Sequence, residues 1–147
     1  MRTFMIAAAF LSVIGFVSQA QAGEIFAPKD NIAIRGYDTV AYFEDGRPVK
    51  GSPEHQVSWK GATWLFASAQ HKATFEQNPA KWAPQFGGWC AYAVANGRKA
   101  KTEPDAFTIV DGKLYLNYDL KIQSKWRSNQ AAFIKKGHAN WPSLRER

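Results

Sequence analysis

Cys90 is the only cysteine in the chain, and its thiol is the side chain with the widest range of chemistry. It lies in the stretch GGWCAY (87–92), after two glycines and between aromatic residues. A thiolate binds soft metals and attacks disulfides, whereas a buried thiol fills space as a small hydrophobic group. Because no second cysteine can pair with it, Cys90 has three open roles: metal ligand, redox group or core residue.

The other soft or borderline metal ligands are the three histidines, His55, His71 and His138. One cysteine and three histidines at these spacings match no zinc-finger pattern, so we expect no structural zinc site. Thiolate and imidazole together suit copper, for which three ligands suffice. The residue types therefore favour a mixed copper site that includes Cys90.

The first 22 residues predict a cleavable signal peptide. Arg2 gives a positive start, residues 4–17 are apolar except for Ser12, and residues 20–22 (AQA) form a small-x-small cleavage pattern. The apolar run is shorter than the roughly 20 residues that a membrane span needs. We expect a periplasmic or secreted protein that begins at Gly23 and keeps no membrane span.

Residues 23–147 have the length of a single domain, and all six Trp and five Tyr lie there, which predicts a sizeable core. The formal net charge is +7, with the basic excess toward the end of the chain. A solvated helix face or a surface for an acidic partner accounts for this charge. Because export is predicted, we expect no nucleic acid partner.

Alternating apolar residues and turn signals predict two β-hairpins. Residues 56–60 and 63–66 form the first, joined at Gly61-Ala62. Asp111-Gly112 joins the apolar runs 107–110 and 113–117, which is the strongest short hairpin signal in the chain.

Helical signals surround these hairpins. Ser68 is a good N-cap for a helix that ends near Gln77, and the spacing of Ile122, Trp126 and Phe133 predicts a helix over residues 119–138. Residues 89–94 also favour a helix. The predicted fold class is α+β, a small single domain with two β-hairpins and two main helices.

Four segments together resemble the exported YHS-domain proteins of proteobacteria. They read GYDTVAYF (36–43), GATWLFAS (61–68), NPAKWAPQFGGWCAYAV (78–94) and TIVDGKLYLNY (108–118). The resemblance covers nearly all of residues 23–147, and it implies a YHS-like, metal-associated α+β domain. Some relatives of this type carry selenocysteine at the position of Cys90, which favours a redox or metal-ligand role for that residue.

The sequence also departs from the short metal-binding YHS pattern. Where that pattern has cysteines, this chain has Ala41, Ala67 and His71. The cysteine cluster is therefore absent, but His71 becomes the best imidazole ligand because it replaces one of those cysteines. With Asp38 as a carboxylate, the expected metal ligands are Cys90, His71 and Asp38.

The surroundings of Cys90 complete the predicted site. Gly87 and Gly88 must let the backbone bend or approach another segment closely. If a helix begins directly after them, its N-terminus lowers the pKa of the Cys90 thiol. The aromatic side chains expected to line the pocket with the two glycines are Tyr37, Tyr42, Trp89 and Tyr92.

The leading hypothesis is an exported, monomeric module that handles or delivers copper through the single thiolate of Cys90, rather than an enzyme that turns over a substrate. One alternative is a single-cysteine redox protein in which Cys90 reacts without a metal. Another is a structural domain that binds a partner through its basic C-terminal helix. The sequence names no partner, although a metal-handling or redox protein is consistent with the first two hypotheses.

Overall fold

The computed structural model describes residues 23–147, so the predicted signal peptide lies outside the described residues. The helices are α1 (Thr39–Glu44), α2 (Ala69–Gln77), α3 (Pro79–Trp82), α4 (Ala91–Ala95), α5 (Leu120–Ser128) and α6 (Gln130–Leu144). The strands are β1 (Ser52–Trp59), β2 (Ala62–Phe66), β3 (Phe107–Val110) and β4 (Lys113–Leu116), and 3₁₀ turns occupy Ala33–Gly36 and Gln85–Gly88. This is the predicted small α+β domain. No helix within residues 23–147 is long and apolar enough to cross a membrane.

Both predicted hairpins are present as two-stranded antiparallel sheets. In the second, Asp111 and Gly112 have φ values of 51° and 73°, the left-handed conformations that a tight hairpin turn requires. In the first, Lys60 and Gly61 have φ values of 48° and 73°, and β1 carries an irregularity between Ser52 and Gln56. The second turn is the predicted one, whereas the first lies at Lys60-Gly61, one residue before the predicted Gly61-Ala62, because Ala62 already pairs with Trp59.

Strand β4 is buried on both faces. Leu114 and Leu116 point into a core cluster built with the first hairpin and α1, whereas Tyr115 points into a second cluster with α4 and the C-terminal helices. Side chains alternate between the faces of a strand, so Asn117, which follows β4, continues on the side of Tyr115. This alternation directs the Asn117 side chain toward the start of α4.

The C-terminal helical region differs from the prediction. The pattern predicted one helix over residues 119–138, but Asn129 leaves helical geometry with φ −147° and ψ 51°, and it separates α5 from α6. Asn129 is a weak helix former, and its side chain makes no capping hydrogen bond to α6. The break allows α6 to turn and pack against α4.

The glycine pair before Cys90 is held in close contact with the N-terminal segment. Gly87 has a φ of 62°, and a Cβ atom at this position would overlap the carbonyl oxygen of Glu24. The Gly87 carbonyl accepts a hydrogen bond from Phe26 N at 2.8 Å. The predicted close approach of the backbone is thus confirmed at Gly87.

Gly87→Ala should lower the free energy of unfolding by at least about 3 kcal/mol, because it adds both a steric overlap and left-handed strain. Gly97→Ala is the matched control. Gly97 ends α4 with a φ of 80° and has open space at its Cβ position, so strain alone should cost about 1 kcal/mol. Urea denaturation measures both values, and equal losses would contradict the packing described at Gly87.

Candidate functional site

Cys90 is the N-cap residue of α4 and is 1% exposed. The turn over Gln85–Gly88 delivers the chain to this position, and Cys90 N donates a hydrogen bond to Ala100 O at 3.0 Å. Thr102 Oγ1 donates to Gly88 O at 2.8 Å, which fixes the same backbone from the other side. The thiol is thus held in a defined position by backbone contacts.

Asn117 lies beside Cys90 and is fully buried. Its Oδ1 accepts a hydrogen bond from Tyr92 N at 3.1 Å and a weaker one from Cys90 Sγ at 3.6 Å. Within residues 23–147, its Nδ2 has no hydrogen-bond partner. A buried amide donor without an acceptor is costly, so this feature is unusual for a purely structural contact.

The electrostatics of Cys90 differ from the prediction. Burial raises the pKa of the Cys90 thiol above its usual value, which contradicts the expected net lowering by the helix N-terminus. The nearby backbone N–H groups of Ala93, Tyr118 and Tyr92, and the charge of Arg98, lower the pKa by less. The helix-start donors are therefore present, but loss of hydration dominates because it disfavours the anion.

A cavity of about 370 Å³ opens beside Cys90. It is lined by aromatic, aliphatic and mostly basic side chains, together with the thiol: Cys90, Tyr92, Ala93, Arg98, Ala100, Tyr118, Asp119, Lys121, Ile122 and Lys125. Cys90 is therefore buried from bulk solvent, and it is one of the residues around a space large enough for a small molecule.

Asp38 and His71 form a second polar cluster, with His71 Nδ1 2.7 Å from Asp38 Oδ2. Asp38 is fully buried, and its oxygens also accept hydrogen bonds from Ala41 N at 3.1 Å and Ala67 N at 2.9 Å. Asp38 thus caps α1 and joins it to the start of α2. Because three donors occupy this carboxylate, it is suited to orient His71 rather than to bind a metal directly.

The structure brings two of the three predicted ligands together. His71 contacts Asp38, while Cys90 lies with Asn117 on the other side of β4. Within the described part of the chain, no group of three or more His, Cys, Asp and Glu side chains is arranged to hold a metal ion. His71 Nε2 and Cys90 Sγ are therefore separate single donors.

Of the residues predicted to line the pocket, Tyr92 shares the cavity with Cys90. Tyr42 is a core residue whose hydroxyl donates to Pro104 O, and Tyr37 packs under Lys50. Trp89 Nε1 donates to Gly23 O at 2.7 Å and lines a different cavity. Gly87 and Gly88 act through the backbone, since they position Cys90 without lining its cavity.

Sequence reasoning missed Asn117 and Arg98 as site residues. Asn117 is 27 residues from Cys90 and reaches it only because β4 crosses between the two cores. The sequence offered one indication of this contact: Asn117 lies two residues after Tyr115 and therefore on the same face of β4. For Arg98, which follows the glycine that ends α4, the sequence carried no such signal.

The family model of the YHS domain matches residues 40–86. This segment spans α1 to α3 with the first hairpin and includes His71, whereas Asp38 and Cys90 lie just outside its ends. No curated protein and no solved structure matches the sequence. Residues 40–86 are therefore similar to the YHS domain, in agreement with the resemblance seen in the sequence.

Asp38→Ala should lower the free energy of unfolding by about 3 kcal/mol, because it removes a helix cap and leaves buried N–H groups without an acceptor. Asp119→Ala is the control, since Asp119 caps α5 through Ile122 N but is less buried. Asp119→Ala should lower the free energy of unfolding by about 1 kcal/mol. Urea denaturation distinguishes the two, and a loss at Asp38 no larger than at Asp119 would contradict the joining role of Asp38.

Proposed function

We propose that this protein is an exported single-thiol module in which Cys90 exchanges with disulfides and needs no metal. One observation supports this best: Cys90, the only cysteine, is among the residues that line a cavity, with backbone N–H groups and the charge of Arg98 nearby. Such donors stabilise the thiolate that attacks a disulfide. An oxidising compartment, as export implies, supplies disulfides as reaction partners.

The proposed reaction is a thiol–disulfide exchange. The Cys90 thiolate attacks one sulfur of the incoming disulfide, whose S–S bond breaks as a new S–S bond forms to Cys90. The other half leaves as a thiolate, and the proton lost from Cys90 passes to solvent or to that thiolate. The product is a mixed disulfide. A second thiol is required to resolve it, and a reaction partner must supply that thiol because the chain has no other cysteine.

The raised pKa of Cys90 sets the expected pH dependence. At neutral pH the thiol is protonated, and the reactive thiolate fraction increases about tenfold per pH unit until the pH reaches the pKa. The rate constant for the neutral disulfide 4,4′-dithiodipyridine should therefore still be rising above about pH 8.5, where an unperturbed cysteine levels off. Intact mass measurement should find one added thiopyridyl group per chain.

N-acetylcysteine amide provides the reference pH profile, and Cys90→Ser should not react. A plateau for the protein below about pH 8 would contradict the burial effect on the thiol. No mixed disulfide at any pH in the native state would contradict the proposed function.

Copper handling is the second candidate, and two observations favour it. The YHS domain belongs to a family associated with metal handling. His71 is oriented by Asp38 in the way that metal-binding imidazoles commonly are. The residues do not form a closed copper site within the described chain, because the donors His71 and Cys90 are separate. Copper binding would thus use one of these donors, with further ligands from outside the domain.

A Cu(I) titration tests this candidate under reducing conditions, against a chromogenic chelator that outcompetes a simple thiol. Copper handling through the thiolate predicts one-to-one uptake that is lost in Cys90→Ser and kept in His71→Ala. The reverse pattern would assign the metal to His71. No uptake in competition with the chelator would remove the copper candidate and leave the thiol exchange unaffected.

The third hypothesis, a partner-binding domain, rests on exposed basic residues of α5 and α6. Arg127 weakens it slightly, because its guanidinium is used to hold β3 through Thr108 Oγ1 at 3.0 Å and Phe107 O at 3.3 Å. Lys121 and Lys125 have no such contact among residues 23–147 and face the Cys90 cavity instead.

A further inference from the structure

We propose that the cavity beside Cys90 selects disulfides that carry negative charge. This inference rests on the proposed thiol exchange and names the chemical class of its substrate. It is carried by the charges of the cavity wall and by the size of the space, with the buried Asn117 next to Cys90 as a further observation.

Three cationic side chains line the cavity: Arg98 from the segment after α4, and Lys121 and Lys125 from α5. All three are exposed, and none forms an ion pair within residues 23–147. Lys121 and Lys125 are one helical turn apart, where like charges repel each other. A bound anion would relieve this repulsion.

Asp119 is the single carboxylate among the residues that line this cavity. Its Oδ1 accepts a hydrogen bond from Ile122 N at 2.7 Å, so the carboxylate is engaged at the N-terminus of α5. Asp119 forms no salt bridge with Arg98, Lys121 or Lys125. The wall therefore keeps a net positive charge, which raises the local concentration of anions.

Asn117 is a buried neighbour of Cys90 that does not itself line the cavity. Its Oδ1 lies 3.6 Å from Sγ, while its Nδ2 has no hydrogen-bond partner among residues 23–147. A buried N–H donor of this kind is normally satisfied. A ligand bonded to the Cys90 sulfur would lie close to this side chain.

The remaining walls suit a small organic group. Tyr92, Tyr118 and Ile122 supply apolar surface, and the volume of about 370 Å³ is at the lower end of the range for ligand pockets. The cavity thus combines an apolar wall, a positive rim and a thiol. In the reaction, the Cys90 sulfur forms a bond to one sulfur of the anionic disulfide, the S–S bond of the disulfide breaks, and an anionic thiolate leaves.

The test compares two aromatic disulfides with the purified protein at one pH. 5,5′-Dithiobis(2-nitrobenzoate) carries two carboxylates, and 4,4′-dithiodipyridine is neutral. The ratio of their second-order rate constants, divided by the same ratio for N-acetylcysteine amide, reports charge selection by the cavity. We expect this normalised ratio to be about ten at low salt and to fall toward one at high ionic strength.

The variant Lys121→Gln/Lys125→Gln should lower the normalised ratio about fivefold and leave the rate with the neutral disulfide within a factor of about two. Lys135→Gln/Lys136→Gln is the matched control, because it removes the same charge from exposed positions of α6 that do not line the cavity. Arg98→Gln tests the third cation in the same way.

A ratio that both double variants reduce equally would assign the effect to net charge and overturn the inference. A wild-type ratio near one would overturn it as well, while a normal rate with the neutral disulfide would leave the proposed exchange standing. If the native protein reacts with neither disulfide, the proposed function fails, and the substrate class fails with it.

Discussion

The structure depends on strand β4 being buried on both faces. Leu114 and Leu116 complete the core of the first hairpin and α1, and Tyr115 completes the core beneath the C-terminal helices. A four-residue strand can serve two cores only because its side chains alternate strictly. A register shift of one residue would exchange these side chains between the cores. The same parity places Asn117 against Cys90, so the geometry of the candidate site is a consequence of how the two cores share one strand.

At Cys90, burial and local dipoles act in opposite directions. Removing the thiol from water disfavours the thiolate, while the N–H groups at the start of α4 and the charge of Arg98 favour it. Burial prevails, so the thiol form is favoured over the thiolate. In the proposed exchange, an incoming disulfide would meet N–H donors that are already in place. The Asp38–His71 pair, in contrast, owes its order to three donors that converge on one carboxylate.

The parts of the fold that the sequence predicted have local causes. Asp111-Gly112 supplies the hairpin turn and Ser68 caps α2 through His71 N at 3.1 Å, so both could be recognised without knowledge of the tertiary structure. The break at Asn129 was missed because apolar spacing continues across it, and packing of α6 on α4 decides its conformation. At the site, Cys90 was identified from its type, but the sign of its pKa shift depends on burial, which only the assembled fold determines. Asn117 and Arg98 were missed because the contacts that bring them to the thiol are formed in the tertiary structure.

The central claim is that Cys90 reacts in the native state, through its cavity. The most direct measurement is the rate of mixed-disulfide formation with 4,4′-dithiodipyridine at fixed pH and increasing urea, below the unfolding transition. Reaction through the cavity predicts a rate that stays nearly constant across this range. If Cys90 is an inert core residue exposed only by unfolding, the logarithm of the rate should rise linearly with urea, with the slope of global unfolding. That linear rise would contradict a working thiol and favour a structural role for Cys90.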